Sequence, residues 1–306
     1  MTRDNRTFPN KTMMSSKTMS GKMPINILQL TSVLLLSWLA GCGSMQAPPI
    51  TDPPTQSHLV GKFVWHDLLT RDVNTSKQFY HSLFGWTFKQ TDHYTLVLNH
   101  GSPIAGMVQV ENNIKNQAAR WLASLSVEDV KQAVLTAKAA GGAIHEGPAE
   151  MESRGQYALI SDPNGAELVL LNSDSGDPKD LPPKIGAWLW DELWAKDVPK
   201  AVDFYRELAG YSLNPLSSDY IIAQKQDIWR AGIRPVLIDG INSRWIPVIR
   251  VDDPDAIAKR LESLGGQRLL ETQQPDSNTK IILAADPTGA LFMVQNWTDS
   301  TLTQQE

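Results

Sequence analysis

Apolar and polar residues alternate from Phe63 to Leu69, which predicts a half-buried β-strand. Asp72 precedes a stretch whose apolar residues recur at helical spacing, so we expect a helix that Asp72 caps and Gly85 ends. The apolar positions of this helix are Val73, Phe79, Leu83 and Phe84. The chain therefore opens its folded part with a strand followed by a helix.

More strands and a second helix follow in the same style. In chain order we expect strands at 94–98, 104–108 and 120–127, a helix at 130–135, and strands at 157–160 and 167–171. Gly141-Gly142 ends the second helix. The last two strands are joined by the turn Asp162-Pro163-Asn164-Gly165, in which Pro and Gly suit their positions. In outline the segment is a βαβββ unit that occurs twice.

The whole pattern is then repeated. The segments WHDLLTRDV (65–73) and DPNGA (162–166) return as WDELWAKDV (190–198) and DPTGA (286–290), which are 125 and 124 residues further on. A period this long indicates a duplicated module rather than a short solenoid repeat.

Composition and charge narrow the class of protein. The 306 residues are 42% hydrophobic and 20% charged, which is ordinary for globular proteins. The formal net charge is −5, and Lys and Arg are scattered among acidic residues, so nucleic acid is not an expected partner. Cys42 is the only cysteine, so the chain can form no internal disulfide.

The ordered motifs WHDLLTRDV, FYHSLFGW, RWLASLSVEDV and DPNGAELVLLN, each with a second copy, resemble the vicinal oxygen chelate superfamily. That superfamily includes glyoxalase I, bleomycin-resistance proteins and extradiol dioxygenases. The resemblance spans roughly Gly61 to Trp297. It implies an α+β fold with two tandem modules of paired βαβββ units, which form cupped, half-open mixed β-sheets with flanking helices. A ligand is then expected in the cup.

Enzymes of that superfamily hold a divalent metal in the cup with His and Glu side chains. The resemblance places the ligand positions at Trp65, Leu122 and Val169 in the first module and at Trp190, Ile246 and Met293 in the second. None of these is a usual ligand. His66 and Glu167 are suitable types, but they are shifted by one and two residues and are weak candidates. We therefore predict no metal and no other cofactor.

The N-terminal segment has the features of an export signal. Lysines precede an apolar run at 25–39 that is too short for a comfortable membrane span. Leu39-Ala40-Gly41-Cys42 resembles the lipobox of bacterial lipoproteins, which implies lipid attachment to Cys42. Gly43 rather than Asp follows, which by the same resemblance favours the outer membrane, facing the periplasm. The Pro-rich stretch that follows is expected to be a stiff, unpacked tether.

These observations predict the organisation of the chain. We expect a lipoprotein signal peptide at 1–41 and a lipidated Cys with its tether at 42–58. The first module is expected at 59–175, a linker at 176–184, the second module at 185–298 and a tail at 299–306. The modules are expected to pair within the chain or in a homodimer.

Strand alternation predicts which side chains line the cups. The expected ligand-binding residues are Trp65, Asp67, Ser124, Trp190, Glu192, Trp194 and Arg250. Asp67 and Glu192 occupy equivalent positions and are candidates for acid/base catalysis or for receiving a cationic ligand between the Trp rings. The alternative is that each carboxylate only accepts hydrogen bonds that stabilise the cup.

Three functions follow from this reading. The first is a membrane-anchored lipoprotein that binds a small organic molecule without a metal. The second is an enzyme, either a lyase or dioxygenase with shifted metal ligands or a metal-free acid/base catalyst. The third is a structural lipoprotein whose cavity is filled by its own side chains. Fold alone does not separate them, because one scaffold supports many chemistries.

Overall fold

The computed structural model describes residues 47–91, 93–111, 119–273 and 279–297. The first module contains eight strands and two helices: β1 (Phe63–Thr70), α1 (Val73–Phe84), β2 (Thr87–Gln90), β3 (Thr95–Asn99), β4 (Ser102–Gln109), β5 (Arg120–Ser126), α2 (Val130–Ala139), β6 (Ala143–Met151), β7 (Gly155–Ser161) and β8 (Glu167–Ser173).

The second module repeats this order of elements. They are β9 (Trp188–Ala195), α3 (Val198–Ala209), β10 (Ser212–Ser217), β11 (Tyr220–Lys225), β12 (Ile228–Pro235), β13 (Arg244–Val251), α4 (Pro254–Ser263), β14 (Gln267–Gln273), β15 (Lys280–Ala285) and β16 (Leu291–Asn296).

The first helix of each module begins and ends by the same chemistry. The side chains of Asp72 and Asp197 accept a hydrogen bond from the backbone N–H three residues on, at 2.9 and 3.1 Å. Gly85 and Gly210 follow the last turn with φ of 74° and 64°, a left-handed conformation that a side chain disfavours. The repeated Asp and Gly of the sequence are therefore the helix caps.

Each module forms one eight-stranded mixed sheet. The strand order is β2-β3-β4-β1-β5-β8-β7-β6 in the first module and β10-β11-β12-β9-β13-β16-β15-β14 in the second. Strand β1 runs parallel to β4 and antiparallel to β5, so the two βαβββ units of a module meet between β1 and β5. The predicted α+β fold with two tandem modules is confirmed.

The two modules share their hydrophobic cores. Helix α1 packs against α4, and α2 packs against α3. One cluster of buried residues joins Leu125 of β5 to Leu193 of β9, and another joins Tyr80 of α1 to Phe292 of β16. The faces of the two sheets that carry the helices therefore pack against each other within the chain.

Reciprocal hydrogen bonds across this contact account for two of the repeated motifs. The Tyr205 hydroxyl donates to Asp162 of the other module over 3.3 Å, and Tyr80 is hydrogen-bonded in the same way to Asp286. Each Tyr hydroxyl also accepts an indole N–H from the repeated Arg-Trp motif. Burial raises the pKa of both Asp carboxyl groups.

A buried His–Asp pair also crosses the contact between modules. His66 Nε2 lies 2.8 Å from Asp191 Oδ1, and only 2% of each side chain is exposed. The His66 ring also lies 4.3 Å from that of Trp188, between centroids. His66 and Asp191 occupy equivalent positions of the repeat, 125 residues apart. Their contact therefore joins β1 to β9 where the two modules face each other.

The opposite face of each sheet carries a separate apolar cluster. We call the face that bears Trp65, Tyr157 and Leu171 the first cup, and the face that bears Trp194, Ile246 and Met293 the second cup. Neighbouring residues of a strand point to opposite faces of the sheet, so the side chains that line a cup are different from those that form the shared cores.

The expectation that residues up to 58 remain unpacked is wrong. Ala47 and Ile50 are buried, and Ile50 packs in the first cup. Thr51 Oγ1 donates to the carbonyl of Ser175 over 2.8 Å, and Asp177 accepts the backbone N–H of residue 59. The segment packs because its apolar side chain finds an apolar cup and the 175–177 loop satisfies its polar groups.

The predicted signal peptide, Cys42 and the predicted tail 299–306 lie outside the described residues. Over the ranges that are described, no helix is long and apolar enough to cross a membrane.

Candidate functional site

Two of the three expected metal-ligand positions of each module lie in one row across its cup. In the first cup Trp65 lies opposite Ser124 on β5, and Ser124 lies opposite Val169 on β8. The second cup repeats the row with Trp190, Val248 and Met293. The third expected positions, Leu122 and Ile246, lie two residues along the middle strands, opposite Asp67 and Glu192. Indole, aliphatic and thioether groups therefore stand where metal ligands are expected.

The two weak metal candidates do not join this row. His66 faces the other module, as the one-residue shift predicts. Glu167 accepts a hydrogen bond from Arg120 Nε over 2.7 Å near the end of its strand. No cluster of three or more His, Cys, Asp or Glu side chains that could hold a metal is found in the part of the chain the structure describes. The donor set therefore does not fit a divalent metal.

The first cup contains a half-buried carboxylate that is hydrogen-bonded to aromatic side chains. Asp67 Oδ1 accepts hydrogen bonds from the Tyr94 hydroxyl at 2.6 Å and from Trp65 Nε1 at 3.1 Å. Arg154 Nη2 donates to the same hydroxyl over 3.0 Å, and its guanidinium lies 4.5 Å from the Trp65 ring centroid. Burial raises the pKa of Tyr94, so the hydroxyl keeps its proton between the side chains of Asp67 and Arg154.

The second cup contains a similar cluster, in which the acid and the tyrosine are equivalent but the tryptophan and the arginine come from other positions. Glu192 accepts from Trp194 Nε1 at 2.7 Å through one oxygen and from the Tyr220 hydroxyl at 2.8 Å through the other. Arg234 lies 3.9 Å from the first of these oxygens. Burial raises the pKa of Glu192, although the charge of Arg234 and the two hydrogen bonds oppose the rise.

Two glycines make room for these clusters. Gly106 lies opposite Asp67 and Gly232 lies opposite Glu192 in the parallel strand pairs. A Cβ atom at either glycine would lie 1.9 or 2.0 Å from the Tyr hydroxyl oxygen, which is far inside contact distance. Each Tyr reaches its carboxylate only because no side chain stands between them.

Sequence reasoning missed the tyrosines and the arginines. A signal existed for the tyrosines, because Tyr94 and Gly106 return as Tyr220 and Gly232 at a common spacing of 126 residues. No such signal existed for the arginines. Arg154 precedes β7 whereas Arg234 lies on β12, so they are not equivalent in the repeat.

The first cup is filled by its own chain. Ile50, Tyr157 and Leu171 pack together against Trp65, and Arg154 is only 3% exposed. The Tyr157 hydroxyl also donates to Glu146 over 2.5 Å, and burial raises the pKa of that carboxyl.

The second cup keeps a cleft. Its empty space is about 210 Å³, part of it open to solvent, and it is lined by Glu192, Trp194, Arg234, Leu237, Leu270, Thr272, Ile281, Leu283 and Met293. At the position equivalent to Tyr157 the second module has Ile281, 124 residues on, and a smaller side chain leaves this space. The two cups have therefore diverged in what occupies them.

The predicted ligand-binding residues have different surroundings. Glu192 and Trp194 line the cleft of the second cup, and Trp190 stands beside it. Ser124 is buried beneath the filled first cup, as is Trp65. Arg250 donates instead to the carbonyls of Pro183 and Trp297, at 2.8 and 3.2 Å, so its guanidinium holds the segment before β9.

Family models match both modules. Residues 56–170 match the Glyoxalase/Bleomycin resistance protein/Dioxygenase superfamily, and residues 190–295 match the Glyoxalase-like domain.

Curated relatives match along nearly their whole length. CFP32 of Mycobacterium tuberculosis, a protein that bears a glyoxylase name, is 25% identical over 253 residues, which is 79% of this chain and 97% of the relative. The anthracycline biosynthesis protein DnrV of Streptomyces peucetius is 25% identical over 258 residues, or 76% of this chain and 92% of the relative.

Solved structures with the same fold include two enzymes. The Mn(II)-bound glyoxalase from Novosphingobium aromaticivorans has a TM-score of 0.55 at 15% identity and covers 78% of this chain and 82% of its own. The 2,3-dioxygenase LapB from Pseudomonas sp. KL28 has a TM-score of 0.55 at 11% identity, with 79% and 93% covered. At these identities the likeness concerns the fold alone.

Proposed function

The chain belongs to the glyoxalase/bleomycin resistance protein/dioxygenase superfamily, and from that premise we propose that it binds a small organic molecule in its second cup, without a metal. The observation that carries this proposal is the difference between the cups. Ile50 and Arg154 fill the first, whereas the second keeps a cleft lined mostly by apolar side chains together with Glu192, Arg234 and Thr272. Ligand sites in proteins are commonly lined in this way.

The cleft also limits the ligand. Its walls are mainly Leu, Ile and Met side chains, and its polar groups are the paired Glu192 and Arg234 together with Thr272. The ligand is therefore small and largely apolar.

Metal independence rests on the donor set. Trp190, Ile246 and Met293, at the positions where the resemblance expects ligands, cannot supply the convergent His and carboxylate ligands that a catalytic metal requires. We expect ligand binding to persist in a strong chelator, and stoichiometric zinc, iron or manganese in the purified protein would contradict this.

Filling the cleft tests the site. Ile281→Tyr copies the side chain that fills the first cup, so we expect small apolar compounds that bind the wild type to bind this variant about tenfold more weakly or worse. Calorimetric titration of the full-length protein in detergent measures the change. Ile228→Tyr is the matched control, because Ile228 is exposed on β12 and does not line the cleft. Binding that survives Ile281→Tyr would exclude the second cup.

One observation favours an enzyme as the second candidate. Glu192 faces the cleft and burial raises its pKa, a combination that suits a general acid or base. The relative named as a glyoxylase is consistent with catalysis on this scaffold. In that case Glu192→Gln retains the bound compound but no longer converts it.

We also propose that Cys42 carries lipid and anchors the protein in the bacterial envelope, in the outer membrane facing the periplasm. The support is Leu39-Ala40-Gly41-Cys42 after a short apolar run. Cys42→Ser is expected to move the protein from the membrane fraction to the soluble fraction of lysed cells. An unchanged fractionation would contradict lipidation.

A further inference from the structure

The segment before the first module is fixed to the first cup at several points, and we call residues 50–59 the strap. The Ile50 side chain packs in the first cup and is only 3% exposed. Beyond it, the Thr51 hydroxyl and the backbone N–H of Thr55 both donate to the carbonyl of Ser175, at 2.8 and 2.9 Å. The chain therefore runs towards its N-terminus from the first cup.

The loop that follows β8 holds the strap closely. Asp177 donates its backbone N–H to the carbonyl of Ser57 over 2.6 Å, and its carboxylate accepts the backbone N–H of Leu59 over 2.5 Å. Gly176 lies so near the strap that a Cβ atom there would be 2.5 Å from Thr55 Oγ1. These contacts fix the point at which the chain leaves the first cup, so this point does not swing round the molecule.

The two cups open on opposite sides of the molecule. Strand β5 of the first module lies against β13 of the second, and the shared cores occupy the space between the two sheets. Each cup is on the other face of its sheet, and Trp65 and Trp194 belong to separate apolar clusters there. Both sheets, stacked about 10 Å apart, therefore separate one cup from the other.

The tether that joins the strap to Cys42 is short. Ile50 follows Cys42 by eight positions, so even a fully extended chain places their Cα atoms at most about 29 Å apart. A globule of the size of the two modules is about 45 Å across, and half of its circumference is about 70 Å. A tether that starts in the first cup is therefore too short to pass round the molecule to the second.

Surface charge does not attract the first-cup side of the molecule to a bilayer. Asp52 follows Ile50 by two positions, and Glu150 and Glu152 flank Met151 at the rim of the first cup. All three acidic side chains are exposed, whereas anionic lipids attract basic residues. An orientation at a membrane therefore has to come from the covalent anchor.

We propose that the first cup faces the bilayer and that the cleft of the second cup opens away from it, towards the aqueous compartment. This inference rests on the proposed lipidation of Cys42 and adds the orientation of the protein on the membrane. The lipid holds Cys42 at the membrane surface, and the short tether keeps the strap near it. Because the strap is fixed in the first cup, a ligand reaches the second cup from the aqueous side.

Energy transfer from two labels to the bilayer tests this orientation. Acylation uses the single native thiol, so an introduced cysteine is the one site of labelling in the lipidated full-length protein. Met151→Cys places a donor fluorophore at the rim of the first cup, and Leu237→Cys places it at the second. The proteins are inserted into preformed vesicles of phosphatidylethanolamine and phosphatidylglycerol that contain an acceptor lipid. Because the labels lie on opposite sides of a molecule about 45 Å across, we expect at least about twofold stronger transfer from Met151→Cys.

A longer tether is the matched control. An insertion of about twenty Gly and Ser residues between Met45 and Gln46 extends the reach from Cys42 to Ile50 to about 100 Å, which exceeds the half-circumference of the molecule. We expect the difference between the two labels to fall to less than about half of its original value, because a flexible tether of this length no longer sets the orientation. A difference that survives the insertion would show that the protein surface orients the molecule, and this would overturn the inference.

The outcomes separate this inference from the proposed lipidation. Equal transfer from both labels, or stronger transfer from Leu237→Cys, in protein that stays on the vesicles would overturn the orientation and leave the lipidation standing. Without lipidation, Cys42 of the otherwise unchanged protein would react with the fluorophore and the protein would not stay on the vesicles. In that case both proposals fail.

Discussion

His66→Ala is expected to lower the free energy of unfolding by about 3–5 kcal/mol, because it leaves the buried Asp191 carboxylate without its partner between the modules. Both side chains are 2% exposed, so bulk solvent does not reach the pair in the folded protein. Urea denaturation of the purified protein, followed by Trp fluorescence, measures the change.

Two further variants define the origin of this effect. Replacing both members, as in His66→Leu combined with Asp191→Leu, should recover most of the lost stability, because no unpaired polar group is left. Asp203→Ala removes an exposed ion pair with Arg206 and should change stability by less than about 1 kcal/mol. A similarly small effect of His66→Ala would show that the buried pair does not stabilise the contact.

Phe292→Ala should cost about 3–5 kcal/mol and shift the unfolding of both modules together. Phe292 of the second module is fully buried against first-module rings, with centroids 6.1 Å from Phe79, 5.7 Å from Tyr80 and 6.0 Å from Phe84. Since the cavity opens in a core that both modules share, circular dichroism and Trp fluorescence should still report one coincident transition.

Phe88→Ala serves as the comparison, because Phe88 lies half-buried on the edge strand β2 and its loss should cost much less. Two separate transitions in Phe292→Ala, one near the wild-type midpoint, would indicate that the modules fold independently. That result would contradict the shared core.

The two copies keep the same Tyr, Trp and Asp residues at the contact between modules but differ in the residues of their cups. Tyr80 and Tyr205 keep the same cross-module bonds in both copies. The cup positions have instead diverged, with Tyr157 against Ile281 and Leu171 against Gln295. One cup is closed by its own chain, and the other keeps a cleft. This division explains why we assign binding to the second module.

Much of the fold could be predicted from the sequence, because strands, helices and caps depend on local spacing. Asp72 and Gly85 predict the two ends of α1, and Asp197 and Gly210 predict those of α3. The site was only partly predictable. Glu192 and Trp194 follow from strand alternation, but Arg234 reaches Glu192 from another strand and has no counterpart in the repeat. Arg250 was expected at the ligand and holds backbone carbonyls instead.

The sequence by itself determined that this protein is a duplication of one α+β module, because a repeat of residue types at constant spacing is visible without a structure. Its resemblance to the superfamily also predicted that neither copy has a usual ligand at the expected metal positions. The sequence also determined that His66 faces away from the cup, since alternation sets direction. Only the tertiary structure decided that Asp191 meets His66, that Ile50 fills the first cup and that the second stays open. Those contacts join residues more than a hundred positions apart or distant elements, and local periodicity carries no information about which surfaces meet.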